Sequence, residues 1–291
     1  MTAVIDRTRL ILQMIKFEHT IFALPFALIS VILASQQRGA SPGAATVGWV
    51  LLAMVSARSA AMAFNRLCDA DIDANNPRTA QRHIPAGLLS RVQVGTFLLV
   101  SVGLFELAAF KLNRMCFALS PVALACVLGY SYTKRFTSLC HLFLGFAIGI
   151  APIGAWLAIS PRLAPVPLAL GAVVMLWIGG FDIIYALQDY EYDVKSPLYS
   201  LPKRLGKPRA LMVSRAMHVA AIGLLCWIGV LSGLHAAYFT GVAVVACLIC
   251  WEQSLVKPDD LRRVDLAFFT LNGWVSVSLF LFVLADNWLK H

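Results

Sequence analysis

Apolar runs of about 20 residues recur nine times along the 291-residue chain, at about 20–36, 46–64, 92–110, 115–133, 139–160, 164–187, 213–232, 236–253 and 266–286. A helix rises about 1.5 Å per residue, so each run is long enough to cross a bilayer core of roughly 30 Å. Inside hydrocarbon every backbone N–H and C=O needs a partner within the protein, and helices meet that demand segment by segment. The sequence therefore predicts an all-α integral membrane protein, with nine transmembrane helices forming one polytopic domain over 1–291. Charged residues are 13% and hydrophobic residues 59% of the chain. A soluble domain has about a quarter of its residues charged, so that class is excluded.

The net charge of +9 suggests nucleic acid until the basic residues are placed. Eighteen of the 24 Lys and Arg fall before the first run or in alternate loops, at 65–91, 134–135, 188–215 and 257–263. Five lie on the other side, and Arg58 lies within a run. The positive-inside rule then puts the N-terminus and the loops after the second, fourth, sixth and eighth spans on the cytoplasmic side of the cell's inner membrane. Topology and anionic lipid account for the charge, and no nucleic-acid partner is expected. Residues from about 8 to 19 show helical apolar recurrence, as an interfacial helix feeding the first span does. Arg7, Arg9 and Asp6 make the opening unlike a cleavable signal peptide. The seven cysteines lie in or beside apolar spans and read as small hydrophobes.

Against this background two acidic segments stand out. The first is Asn65-Arg-Leu-Cys-Asp69-Ala-Asp71-Ile-Asp73, and the second is Tyr185-Ala-Leu-Gln-Asp189-Tyr-Glu191-Tyr-Asp193, 120 residues downstream. In register, Asp69 matches Asp189, Asp71 matches Glu191, Asp73 matches Asp193 and Pro77 matches Pro197. Arg58, Met62, Asn65, Asp69 and Asp73 follow steps of four, three, four and four, so they share one helical face if the helix runs on to Asp73. An Arg in hydrocarbon needs an acidic partner or a watery cavity, so that face is expected to point inward. Asp182, Asp189 and Asp193 repeat a seven-then-four spacing, that of one helical face. Glu106 within the third span is expected either to pair with a basic group or to be protonated. Tyr130 and Lys134 lie one turn apart, and read as an aromatic-belt Tyr with a snorkelling Lys unless a site claims them. Pro25 is expected to kink the first span, and Gly145, Gly149, Pro152 and Gly154 to allow close helix packing or a kink in the fifth. His218, Glu252 and Asn272 read as packing or orienting groups.

Carboxylates gathered at one membrane edge repel one another unless cations sit among them, and hard divalent cations prefer oxygen ligands. Magnesium commonly joins a few carboxylates to substrate phosphates. Basic groups flank both segments, namely Arg78, Arg82, Lys134, Lys203 and Arg204. The pattern suggests a diphosphate held by metal on one side and by cations on the other.

These residues resemble the UbiA-type intramembrane aromatic prenyltransferases over essentially the whole chain. The resemblance rests on an N-x-x-x-D-x-x-x-D motif (Asn65, Asp69, Asp73), a Y-x-x-x-K pair (Tyr130, Lys134) and a D-x-x-Y-A-x-x-D-x-x-x-D motif (Asp182, Tyr185, Ala186, Asp189, Asp193). It implies a helical bundle around a central cavity, with Asp69, Asp73, Asp189 and Asp193 binding two Mg²⁺ that hold a polyprenyl diphosphate. It further implies that Arg82 and Lys134 touch the phosphates and that Arg58 and Asn65 lie near an aromatic hydroxy acid. Asp182, or Asp69 through water, is a candidate to accept the ring proton. The segment from Lys16 is unlike the R-x-D-K-P-x-G opening of typical proteobacterial 4-hydroxybenzoate enzymes. It is more similar to a branch that includes enzymes of the futalosine route to menaquinone, which leaves 4-hydroxybenzoate and a dihydroxynaphthoate both open as acceptor. Transfer to homogentisate, haem or a lipid is the alternative within the chemistry. A membrane transporter using Arg58 and Glu106 as pathway charges is the alternative outside it.

Overall fold

A computed structural model of the chain describes residues 9–16 and 22–290. They form α1 (9–14), α2 (Leu24–Arg38), α3 (Ala44–Asn75), α4 (Arg91–Leu112), α5 (Arg114–Thr133), α6 (Cys140–Ile159), α7 (Pro165–Ala186), α8 (Tyr190–Lys195), α9 (Leu201–Leu205), α10 (Lys207–Leu231), α11 (Ala236–Leu255) and α12 (Asn272–Leu289). Among the described residues there is no strand, only one bridge between Lys257 and Asp260. Among the described residues eight helical stretches are long and apolar enough to cross a membrane. The ninth expected span corresponds to α2, which has 15 helical residues among those described. Residues 17–21, which carry the end of the expected interfacial helix and the start of that span, lie outside the described residues. Pro25 sits in the first turn of α2 and does not interrupt its interior, because a missing N–H is harmless where no intrahelical partner exists.

The chain divides into two compact units, one of 1–20 and 47–132 and the other of 21–46 and 133–291. In the first, α1 packs Met14 and its neighbour Ile15 against Ala63 of α3 and Val94 of α4. Helices α4 and α5 are joined by the Ser120 hydroxyl, which donates to Glu106 Oε2 at 2.6 Å. Of the two expectations for Glu106, a basic partner or protonation, the hydroxyl contact is not the first.

In the second unit α2 packs on α6, α6 on α7, α7 on α10, α10 on α11 and α11 on α12, and α12 returns to α2. Helix α7 is the most deeply buried of these spans. Its approach to α6 depends on missing side chains: a Cβ at Gly145 would overlap the Met175 carbonyl, and one at Gly149 would lie 2.5 Å from the Gly171 carbonyl oxygen. Trp177, Phe181 and Tyr185 recur every fourth residue along α7 and meet Phe22, Phe26 and Phe268 edge-on or tilted.

Before α12 the chain widens into a π-helical segment, Leu266–Leu271. Widening breaks the ordinary i→i−4 ladder and leaves carbonyls to be satisfied. The wholly buried Asn272 does this, its amide donating to Ala267 O at 3.0 Å and Phe268 O at 3.2 Å. The same amide reaches Glu252 Oε1 at 3.3 Å, while its oxygen accepts from the Trp177 indole at 2.7 Å. One side chain thereby joins α7, α11 and the start of α12.

Three substitutions test this packing by thermal unfolding in detergent. Gly149→Val should destabilise the protein by about 1–3 kcal/mol, the usual penalty of overpacking. Gly154→Val, where a Cβ meets nothing within 4 Å, should be close to neutral. Asn272→Leu keeps the volume but orphans the indole N–H and two carbonyls, at about 1–3 kcal/mol for each group that stays unpaired.

Candidate active site

The first acidic segment belongs to α3, which runs unbroken for 32 residues to Asn75. At about 1.5 Å per residue it spans close to 50 Å, more than a bilayer core, so its acidic end reaches the interface. The expected helical face is therefore intact from Arg58 to Asp73. Asp69 and Asp73 are buried, 1% and 4% exposed. The Asn65 amide, one turn earlier, donates to Asp69 Oδ2 at 2.9 Å. Arg82 places one guanidinium nitrogen 2.8 Å from each oxygen of Asp73. The loop brings it there by turning at Asn76, whose side chain accepts the Arg78 N–H, while the Thr79 hydroxyl donates to the Asp73 carbonyl.

Arg66 is a residue that sequence reasoning passed over. It is 8% exposed, and its guanidinium donates to Asn65 Oδ1 at 3.4 Å and to the Met14 carbonyl at 3.5 Å. Asp69, Asp73, Arg82 and Tyr130 all lie near enough to act on its charge. Tyr130 in turn feels Arg58, Arg66 and Asp69. The first unit thus gathers Arg58, Asn65, Arg66, Asp69, Asp73, Arg82 and Tyr130. Burial and the Arg66 guanidinium hold the nearby His83 imidazole below its ordinary pKa. Asp71 turns the other way, with an exposed carboxylate paired to Arg91.

The second segment leaves α7 through a 3-10 turn, Leu187–Asp189, before α8 begins. Three residues at the tighter pitch rotate Asp189 about 60° from where a continuous α-helix would put it. The uninterrupted face expected for Asp182, Asp189 and Asp193 is broken there. Asp193 is buried and hydrogen-bonded to the Ser200 side chain, with Asp189, Lys134 and His141 near enough to act on its charge. The loop 196–200 meets the start of the 133–291 stretch of its own unit, where the Tyr199 N–H donates to the Lys134 carbonyl at 2.8 Å. Lys203 commits two of its ammonium protons to the carbonyls of Ser196 and Leu198, at 2.7 and 2.8 Å. Tyr185 stacks on Phe268 with centroids 4.2 Å apart. Glu191, the counterpart of Asp71, is exposed and paired to Lys207 at 3.3 Å.

Asp182 has a partner that the sequence gave no reason to suspect, His141 of α6. Its Nδ1 lies 2.7 Å from Asp182 Oδ2, and its Nε2 accepts the Leu201 N–H at 3.3 Å. Spacing carries no signal for this pair, because 41 residues separate the two and they stand on different helices.

In chemical terms the inward groups are carboxylate oxygens beside guanidinium and ammonium groups, which suit a hard cation and an anionic phosphate ligand. Asp69 and Asp73 in one unit, and Asp189 and Asp193 in the other, are the donors to consider. Each motif offers one or two carboxylates, the number magnesium takes when phosphates and water complete its shell. Among the described residues no group of three or more His, Cys, Asp or Glu side chains forms a ligand cage of its own.

Comparison with known proteins agrees. The family model described as UbiA prenyltransferase matches residues 23–274. The chain is 32% identical over 246 residues to a 4-hydroxybenzoate octaprenyltransferase of Klebsiella pneumoniae subsp. pneumoniae, covering 83% of this chain and 84% of that protein. Its fold matches the apo structure of a UbiA homolog from Aeropyrum pernix K1, with a TM-score of 0.84, 33% identity, and 93% and 98% of the two chains covered. A UbiA homolog from Archaeoglobus fulgidus, solved bound to GPP and Mg²⁺, shares the fold with a TM-score of 0.71 at 17% identity, over 95% of this chain and 99% of that one.

Proposed function

Because this chain belongs to the UbiA prenyltransferase family, and is a multi-pass membrane prenyltransferase, we propose that it moves a polyprenyl group from polyprenyl diphosphate to a ring carbon of a hydroxylated aromatic acid in quinone biosynthesis. The carrying observation is how the two motifs sort their acids. In each, the middle acid faces water with a surface cation while the last is buried beside polar partners. Inward carboxylates at two matching positions have a use in binding a charged ligand that outward ones lack.

The roles follow from the side chains. Asp69, Asp73, Asp189 and Asp193 are the residues to hold magnesium, which when bound supplies Lewis-acid stabilisation of the departing diphosphate. Arg82 keeps guanidinium donors beyond the nitrogen given to Asp73, and with Arg78 and Lys134 it offers them to phosphate oxygens. Lys203 keeps one ammonium proton for the same purpose while its other two hold the loop. These cations stabilise charge as it develops on the leaving group, when the allylic C–O bond breaks. Arg58 and Asn65 orient the acceptor through its carboxylate or phenolate, and Tyr130 and Tyr185 border the reacting groups. The ring carbon beside the phenolic hydroxyl forms the new C–C bond, and the ring proton leaves to Asp182, or to Asp69 through water. Apolar walls exclude water that would hydrolyse the allylic cation.

The acceptor is 4-hydroxybenzoate or a dihydroxynaphthoate-type acid. The name of the Klebsiella relative favours the first, and the character of the segment from Lys16 favours the second. The distribution of Lys and Arg supports an inner-membrane protein with its N-terminus and both motifs facing the cytoplasm.

Membranes carrying the protein should transfer label from a radiolabelled polyprenyl diphosphate only when Mg²⁺ is present. Asp69→Ala and Asp189→Ala should each lose about 100-fold or more in rate. Asp71→Asn and Glu191→Gln, which remove only exposed pairs, should stay within about fivefold of the parent. Near-full turnover by either alanine variant would sink the metal-binding assignment. Presenting 4-hydroxybenzoate and 1,4-dihydroxy-6-naphthoate side by side, with mass detection, should yield one prenylated product with release of diphosphate. Prenylation of neither would overturn the acceptor class.

A further inference from the structure

His141 takes no part in the roles above, yet it is 3% exposed at the start of α6 and uses both ring nitrogens. A backbone amide can only donate, so the Leu201 N–H fixes Nε2 as an acceptor and leaves the ring proton on Nδ1. That proton points at Asp182 Oδ2, 2.7 Å away. Asp182 keeps 22% of its side chain exposed, so the carboxylate is gripped from behind and still reachable. The close approach is built into the helices: a Cβ at Gly179, one turn before Asp182, would come within 3.2 Å of the His141 carbonyl oxygen.

The other arm of the ring reaches a second element. Leu201 is the first residue of α9, and the residue before it, Ser200, caps that helix by accepting the Lys203 N–H at 3.3 Å. Ser200 also hydrogen-bonds Asp193. A single imidazole therefore ties Asp182 to the short helix whose cap holds Asp193. We propose that His141 is a positioning residue for prenyl transfer: its Nδ1–H orients the Asp182 carboxylate toward the acceptor, and the Leu201 N–H on Nε2 holds the ring in the tautomer that does so. This rests on the reading of Asp182 given above.

The two arms separate by substitution. Asparagine places an amide N–H where Nδ1 was and keeps the arm to Asp182, whereas glutamine reaches the Nε2 position and keeps only the arm to Leu201. In detergent-purified protein of unchanged melting temperature, His141→Gln should lose about 10- to 100-fold in kcat with little change in KM for the prenyl diphosphate. His141→Asn should recover most of that loss. Because the residue acts through Asp182, His141→Gln combined with Asp182→Ala should be no slower than Asp182→Ala alone. Losses that multiply, with Asp182→Ala itself impaired, would overturn this inference and leave the wider reading standing. Full turnover by Asp182→Ala would overturn both.

Discussion

A carboxylate withdrawn from water has to be given donors in return, and the arrangement of both motifs follows from how each one is satisfied. Asp73 receives a guanidinium nitrogen at both oxygens, Asp69 an amide from its own helix, Asp193 the Ser200 side chain and Asp182 an imidazole. None of these partners is incidental to the backbone. Arg82 arrives because the loop turns at Asn76 onto the end of α3, and His141 arrives because Gly179 lets α6 and α7 approach. Removing Asp69 and Asp73 would leave the buried Arg66 without the acids near it, so fold and site constrain each other in both directions.

What could be read in advance follows from the range of the interactions. The face from Arg58 to Asp73 is a local property of one helix, fixed by a period of 3.6, and it survives intact in α3. The outward turn of Asp71 and Glu191 follows from the same period, since each lies two residues from buried or half-buried neighbours. The 3-10 turn at Leu187–Asp189 was not legible, because neither Pro nor Gly marks it and α8 resumes directly. His141 was invisible for another reason: its meaning depends on a helix 41 residues away. Arg66 was overlooked because it sits one step off the polar face, although its guanidinium reaches back to Asn65. Pro25 was misjudged as interior because the start of α2 could not be located from hydropathy alone.

The spans that seemed chemically quiet turn out to hold the site's supports. Tyr185 owes its position to Phe268, Phe268 to a π-helical widening, and that widening to Asn272. Small and neutral groups do this work. Ser214 donates to the Gly180 carbonyl, Gln253 bridges Ser214 and His218, and His218 approaches the Trp177 carbonyl. Since a carbonyl can only accept, the His218 proton sits on Nε2, and Nδ1 accepts from the Gln253 amide. The ring is thus satisfied while neutral, as its depth requires.

Depth therefore sorts the polar chemistry of the second unit. Within the spans, where an ion is costly, the links are amide, indole, hydroxyl and neutral imidazole, with the Glu252 carboxyl reached by the Asn272 amide. At the ends of the spans they become charged: Glu191 with Lys207 at one end, and the buried Asp286 accepting the N–H groups of His235 and Tyr238 at the start of α11. An anion at a helix N-terminus is favourable in its own right, so Asp286 needs no cation to be stable there. Asp193 has no such helix end to itself and relies on the cap of a five-residue helix. Asp286 is thereby sealed at 1% exposure with backbone donors, whereas Asp193, 9% exposed, depends on a side-chain hydroxyl.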